Sequence, residues 1–220
     1  MAEDIQINRY IDHAVLKPDM TPADAEAQMR VGLDYHVRTI CVRPCDIPLA
    51  VKLCSGTDTD VSCVLAFPHG CALSASKADE AKRYVELGAK EIDMVANIGW
   101  IRAGLWAQVT SDIYGVVNVA HAANVLVKVI LETSYLTPEQ AAGATEAAIA
   151  AKADFVKTST GFASAGATEE MVKAMVAASK GRIAVKASGG IRTREQALRF
   201  IELGATRLGV GSTSTPVLCA

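Results

Sequence analysis

Eight short apolar runs, each separated from the next by a longer amphipathic stretch, leave this chain few folds to choose from. The runs are "IDHAVL" (11–16), "TICV" (39–42), "VSCVLAF" (61–67), "EIDMVAN" (91–97), "VLVKVILET" (125–133), "DFVKTS" (154–159), "RIAVKAS" (182–188) and "RLGVG" (207–211). Near-continuous apolar strands belong to a sheet covered on both faces, and strict β/α alternation means parallel pairing. Helix signals fill the gaps. "TPAD", "TPEQ" and "TREQ" place Thr21, Thr137 and Thr193 at helix N-caps, two of them with Pro at the first helical position. "ELGA" occurs at 86–89 and again at 202–205, each time just before a strand, and Gly88 and Gly204 suit the left-handed residue that ends a helix. Eight such units in 220 residues, without a linker or a break in composition, predict one α/β domain over residues 1–220. The architecture they favour is a (β/α)8 TIM barrel rather than a doubly wound sheet. Chemistry in a barrel of this kind sits at the C-terminal ends of the strands.

Two of the runs contain a residue that a buried strand should avoid. Lys157 follows Phe155 and Val156 on the sixth strand, and Lys186 lies in the corresponding place on the seventh. Side chains alternate along a strand, so Lys128, Ile130 and Glu132 share a face of the fifth. Ala184, Lys186 and Ser188 share one on the seventh, and Lys157 pairs with Ser159 on the sixth. Asp93 interrupts the fourth. A barrel gathers Asp93, Lys128, Lys157 and Lys186 around one mouth. Each lysine taken alone reads equally well as an interior ion-pair partner or a side chain that snorkels outward. Two on adjacent strands are harder to explain by structure. At ~5 Å and an effective dielectric of ~20 their repulsion is roughly 3 kcal/mol, about two pKa units. That moves a lysine from about 10.4 toward 8, and burial lowers it further. A neutral amine is what attack on a carbonyl requires.

A second constellation is rich in glycine. "ASGGIRT" (187–193) and "GVGSTST" (209–215) follow the seventh and eighth strands, where barrels often hold phosphate on backbone N–H groups and a helix N-terminus. Gly189, Gly190, Gly211 and Ser212 are the candidate phosphate residues; ordinary tight turns are the alternative. Cys41 in "TICVRP" and His69 in "FPHG" approach the same mouth, as packing residues or as substrate contacts. The four histidines show no HxH or HExxH spacing, and nothing in the sequence argues for a metal ion.

Composition excludes several function classes. With 22 basic and 24 acidic residues the net charge is −2, so no basic surplus recruits nucleic acid or a membrane surface. Apolar segments stop well short of a ~18-residue span, and "MAEDIQINRY" has no hydrophobic signal region. None of the six cysteines forms a CxxC pair. The expectation is a disulfide-free cytoplasmic enzyme.

The motifs "IDHAVLKPD", "TICVRPCDIPLA", "EIDMVANIG", "VKVILET", "FVKTSTGF", "VKASGGIRT" and "RLGVGS" resemble, in order, those of deoxyribose-phosphate aldolases. The resemblance runs from about Asp12 to Ser212, and the pair "FVKTSTGF" with "VKASGGIR" is its most specific part. It implies a class I aldolase that cleaves 2-deoxyribose 5-phosphate to acetaldehyde and glyceraldehyde 3-phosphate without a cofactor or metal. It implies the Schiff-base lysine at Lys157, its electrostatic partner at Lys186, the catalytic carboxylate at Asp93, and phosphate around Gly189, Gly190 and Ser212. Asp12, Lys128, Cys41 and Gly211 complete the candidate substrate-binding set. A homodimer is a further expectation. Two positions depart from the pattern: Ala14 stands where a threonine is usual, and Gly211 where one of two serines often stands. Rival readings are a Schiff-base aldolase for another phosphosugar, a non-catalytic sugar-phosphate-binding barrel, and an acid–base isomerase.

Overall fold

The computed structural model describes residues 5–220. Eight parallel strands close into a barrel in chain order. They are β1 (Ile11–Val15), β2 (Thr39–Val42), β3 (Asp60–Leu65), β4 (Glu91–Val95), β5 (Leu126–Ile130), β6 (Phe155–Lys157), β7 (Ala184–Ser188) and β8 (Arg207–Gly211). Around them run α1 (Pro22–Asp34), α2 (Ile47–Cys54), α3 (Ser74–Glu86), α4 (Ile98–Arg102), α5 (Trp106–His121), α6 (Pro138–Ala150), α7 (Glu169–Ser179), α8 (Arg194–Glu202) and α9 (Thr215–Cys219). Every strand expected from the apolar runs is present.

Local chemistry fixes the element ends. Thr21, Thr137 and Thr193 each accept from the backbone three residues on, and Asp24, Gln140 and Gln196 bond back, so three helices open with complete capping boxes. Gly88 (φ 98°) and Gly204 (φ 104°) terminate α3 and α8 in the left-handed region, as "ELGA" predicts. Several strands are shorter than their apolar runs. The fifth run breaks because Glu132 adopts φ 55°, ψ 64°, which turns the chain out of the sheet. Glu132 therefore does not continue the face of Lys128, and Ser159 lies beyond the end of β6.

The two faces of the sheet hold different chemistry. Outward residues such as Ile11, Ile40, Cys63, Met94, Val129, Val156, Val185 and Leu208 pack against the helices in one apolar core. Inside the barrel, where branched apolar side chains usually dominate, stand Asp12, Glu91, Asp93, Lys128, Lys157, Lys186 and Arg207, all buried. Contacts between opposite strands prove the direction: Arg207 of β8 meets Glu91 of β4 at 2.8 Å, and Lys128 of β5 meets Asp12 of β1 at 3.2 Å. The barrel is wound around an ion-pair network.

Candidate active site

Register sets the two lysines side by side. Lys157 pairs with Lys186 across β6 and β7, and Asp93 pairs with Lys128 across β4 and β5. The Asp93 carboxylate sits between the amines, its Oδ2 accepting from Nζ of Lys157 and of Lys186 at 2.7 Å each. Its Oδ1 accepts from Lys128 at 2.7 Å and from the Ser62 hydroxyl at 3.2 Å. Lys186 also binds Asp12, which accepts in turn from Thr39 at 2.8 Å and Arg207 at 2.7 Å.

The charges divide unequally. Burial alone would raise the Asp93 carboxyl, but Lys128, Lys157 and Lys186 outweigh it and hold it well below the usual range. Asp12 is lowered in the same way, with Lys128, Lys186 and Arg207 opposing burial. Burial pulls Lys128 and Lys186 down, yet the carboxylates around them prevail and both end above an ordinary lysine. Lys157 ends below one. Burial is the largest cause, Asp93 opposes it, and the positive charge of Lys186 adds to the lowering. This amends the expectation that repulsion by Lys186 sets the Lys157 amine: desolvation leads, and Asp93 shields one ammonium from the other.

A cavity of about 200 Å³ opens above this layer, lined by Asp12, Cys41, Lys157 and Lys186 at its floor. Ser188, Gly189, Gly190, Gly211, Ser212 and Thr213 form one wall, and Leu16, Lys17 and Phe162 stand elsewhere on its lining. Gly189 (φ 90°) and Gly190 (φ 76°) hold left-handed backbone that other residues resist, and among the described residues no backbone acceptor meets either amide. Ser212 differs. Its amide is already given to the Ala14 carbonyl at 3.2 Å, which leaves its hydroxyl as the group available to an anion. The loop after β7 rests on the loop after β6: a Cβ on Gly166 would fall 2.1 Å from the Gly189 carbonyl oxygen. Gly209 makes room for the chemistry, since a Cβ there would come within 2.3 Å of the Ser188 hydroxyl and 3.3 Å of Lys186 Cε.

Comparison with known proteins identifies the family. A model of the DeoC/LacD family of aldolases matches residues 7–211. The chain belongs to that aldolase family. It is 45% identical to the deoxyribose-phosphate aldolase of Carboxydothermus hydrogenoformans over 96% of this chain and 94% of that one. Identity to the Lactiplantibacillus plantarum deoxyribose-phosphate aldolase is 42%, over 95% and 97%. Among solved structures, QR15, an aldolase, superposes with TM-score 0.89 at 37% identity, covering 96% of this chain and 93% of its own. The tetrameric deoxyribose phosphate aldolase of Aeropyrum pernix gives 0.87 at 30%, covering 96% and 89%.

Against this family background the candidate residues sort by position. Lys157, Lys186, Asp12, Cys41, Gly189, Gly190, Gly211 and Ser212 all border the cavity. Asp93 touches it only through the two lysines, because the carboxylate itself is fully buried. Lys128 requires a correction. It was expected among the substrate-binding residues, but its Nζ is enclosed by Glu91 at 2.5 Å, Asp93 at 2.7 Å and Asp12 at 3.2 Å, and it does not line the cavity. His69 borders a neighbouring depression with Arg102 and Glu132. Thr158 ties β6 to β7, donating to the Ser188 carbonyl and accepting from its amide at 3.0 Å each. Sequence reasoning missed Glu91 and Arg207. Their signal was present, as charged residues opening the apolar runs "EIDMVAN" and "RLGVG", but only barrel closure shows that they meet.

Proposed function

We propose that Lys157 is the Schiff-base nucleophile of an aldolase that reversibly cleaves 2-deoxy-D-ribose 5-phosphate to acetaldehyde and D-glyceraldehyde 3-phosphate. The observation that carries the assignment is the placement of its amine on the cavity floor, buried, lowered below an ordinary lysine, and 2.7 Å from a carboxylate. The neutral amine attacks C1 of the open-chain sugar, and loss of water from the carbinolamine gives a protonated imine. That imine draws the electrons of the C2–C3 bond as the C3 hydroxyl gives up its proton. Glyceraldehyde 3-phosphate leaves, and an enamine of acetaldehyde remains on Lys157. Protonation of the enamine carbon and hydrolysis release acetaldehyde and restore the amine.

One oxygen of the Asp93 carboxylate accepts from both amines, and the Lys186 ammonium, which borders the cavity, gives a proton to substrate and water and takes it back. The unengaged amides of Gly189 and Gly190 with the Ser212 hydroxyl receive the phosphate. Residues 1–220 act as one barrel, in the cytoplasm, on small phosphosugars and aldehydes without nucleic acid. A homodimer is the assembly proposed, which light scattering can separate from a tetramer. Six free cysteines fit a reducing compartment, and among the described residues no helix is long and apolar enough to cross a membrane. The deciding experiment is borohydride reduction in the presence of acetaldehyde, with peptide mapping. One ethyl group on Lys157 is expected; labelling confined to another lysine overturns the assignment.

A further inference from the structure

Below the reacting layer lies a second one that touches no part of the cavity. Arg207, at the start of β8, spans the barrel to Glu91, at the start of β4, with Nη1 to Oε2 at 2.8 Å and Nη2 to Oε1 at 3.2 Å. The same Nη1 binds Asp12 at 2.7 Å, and Glu91 binds Lys128 at 2.5 Å. The guanidinium also lies over the ring of Phe155, 5.1 Å from its centroid and two residues before Lys157. All of these charged groups are buried, so they form one closed system with little counter-charge from solvent.

The count within that system is uneven. Three carboxylates (Asp12, Glu91 and Asp93) face four cations (Lys128, Lys157, Lys186 and Arg207). A buried cluster is most stable when its charges balance and each is paired. Balance is reached when one cation gives up its proton. The contacts select which: Lys128 touches three carboxylates, Lys186 and Arg207 two each, and Lys157 only one. Resting on the Schiff-base reading of Lys157, we propose that Glu91 and Arg207 are positioning residues that keep its amine neutral. They do so by fixing the charge of the cluster beneath it, without touching substrate.

The neighbours of Lys157 leave the count intact. Asp93, Lys128 and Lys186 face it from β4, β5 and β7 and belong to the cluster. Asp12 of β1 lies beyond Lys186. Burial and Asp93 raise the Cys41 thiol of β2, and Glu132, in the loop after β5, spends its carboxylate on the Thr160 amide and hydroxyl and lies outside the ion-paired cluster.

The test reads the Lys157 amine directly. Brief reductive methylation with formaldehyde and borohydride, mapped by peptide mass across pH, follows the neutral fraction whether or not the protein cleaves any sugar. Removing the outer cation in Arg207→Met leaves three carboxylates against three lysines, and the Lys157 profile should move up by about one pH unit. Removing the outer anion in Glu91→Gln should move it down by a similar amount. The double variant, neutral in both places, should return to the wild-type profile, and Arg207→Lys should stay near it. A residue that merely props the barrel cannot shift the profile in opposite directions and cancel in the double variant. Should Arg207→Met fail to fold, Glu91→Gln and the double variant still decide. A Glu91→Gln profile that does not move down, or a double variant that moves with it instead of returning to the wild type, overturns the proposal. Retro-aldol assays on the wild type test the Schiff-base reading separately, so either idea can fail without the other.

Discussion

Lys157 works at the margin between burial, which favours its neutral form, and Asp93, which favours the charged one. Removing Lys186 disturbs both sides of that margin. In Lys186→Leu the repulsion is lost, and Asp12 and Asp93 lose a cation, so more of their negative field reaches Lys157. Both effects raise its pKa. Activity should be low near pH 7 and recover as pH rises, the acidic limb moving up by roughly one to two units. Lys157→Leu should show no recovery, for it has no nucleophile. Trapping against pH decides, and an unchanged profile in Lys186→Leu would leave desolvation as the sole cause of the lowering. Asp93→Asn gives a contrasting result. Without the carboxylate, Lys157 loses what holds its proton and should stay reactive to amine reagents at lower pH. Proton transfer through the shared oxygen stops, so kcat should fall by about 10²–10⁴. Retention of near-wild-type kcat in Asp93→Asn would remove Asp93 from the proton path.

At the scale of the element, the loop after β7 tests how the phosphate is held. Gly190 has open space around its α-carbon but φ 76°, so a side chain there is opposed by backbone strain rather than by a clash. Gly190→Val should raise KM for 2-deoxyribose 5-phosphate by about tenfold or more, equivalent to ~1.4 kcal/mol, and barely change the slow use of 2-deoxyribose. Gly211 is the converse case. Its φ is not left-handed and nothing lies within 4 Å of a built Cβ, so Gly211→Ser fits and adds a donor to the cavity wall. Its KM for the phosphorylated sugar should fall; equal effects on both sugars in both variants would make these glycines turn residues only. The sequence disclosed this wall because Gly189 and Gly190 after strand seven, and Gly209 and Gly211 at the end of strand eight, are a local signal. The capping threonines were legible for the same reason. Element ends were less so: nothing apolar distinguishes Glu132 from the strand before it, and only its left-handed backbone, with the carboxylate accepting from the Thr160 amide and hydroxyl, shows where β5 stops.

Over the whole molecule, alternation of apolar runs made the barrel legible, and alternation within strands made Lys157 and Lys186 legible. Lys128, Glu91 and Arg207 were not readable in their roles, because partners 116 residues apart in sequence, as Glu91 and Arg207 are, meet only when β4 and β8 face each other across a closed barrel. That closure makes the network a determinant of stability as well as of reactivity. Asp12 and Asp93 are held well below the usual carboxylate range in the folded chain. Their contribution is therefore complete above the unfolded value of about 4 and is lost as pH falls toward the folded values. Lys128 and Lys186 are raised, so theirs is complete below the unfolded lysine value of about 10.4 and fades only above it, and Arg207, raised as well, stays charged throughout. Lys157 has the opposite sign: the unfolded chain binds its proton more readily, so stability rises with pH between its folded value and about 10.4. The acid side is then the vulnerable one. Burial also holds the His13 imidazole down to about 4, so the urea midpoint should begin to fall below about pH 6.5 as the unfolded chain takes up that proton, and drop more steeply below pH 4, a loss on the order of a few kcal/mol by pH 2. Surface pairs such as Glu169 with Arg199, whose carboxylate is lowered to about 2, also titrate there, but they are exposed and screened by salt. The buried network is not. Urea titrations at pH 3, 5 and 7 in about 0.05 and about 0.5 M salt, between which the Debye length shrinks about threefold, separate the two. Loss between pH 5 and pH 3 that persists at high salt locates it in buried groups, the interior carboxylates foremost, whereas loss that disappears with salt would place it on the surface and deny the network a role in stability.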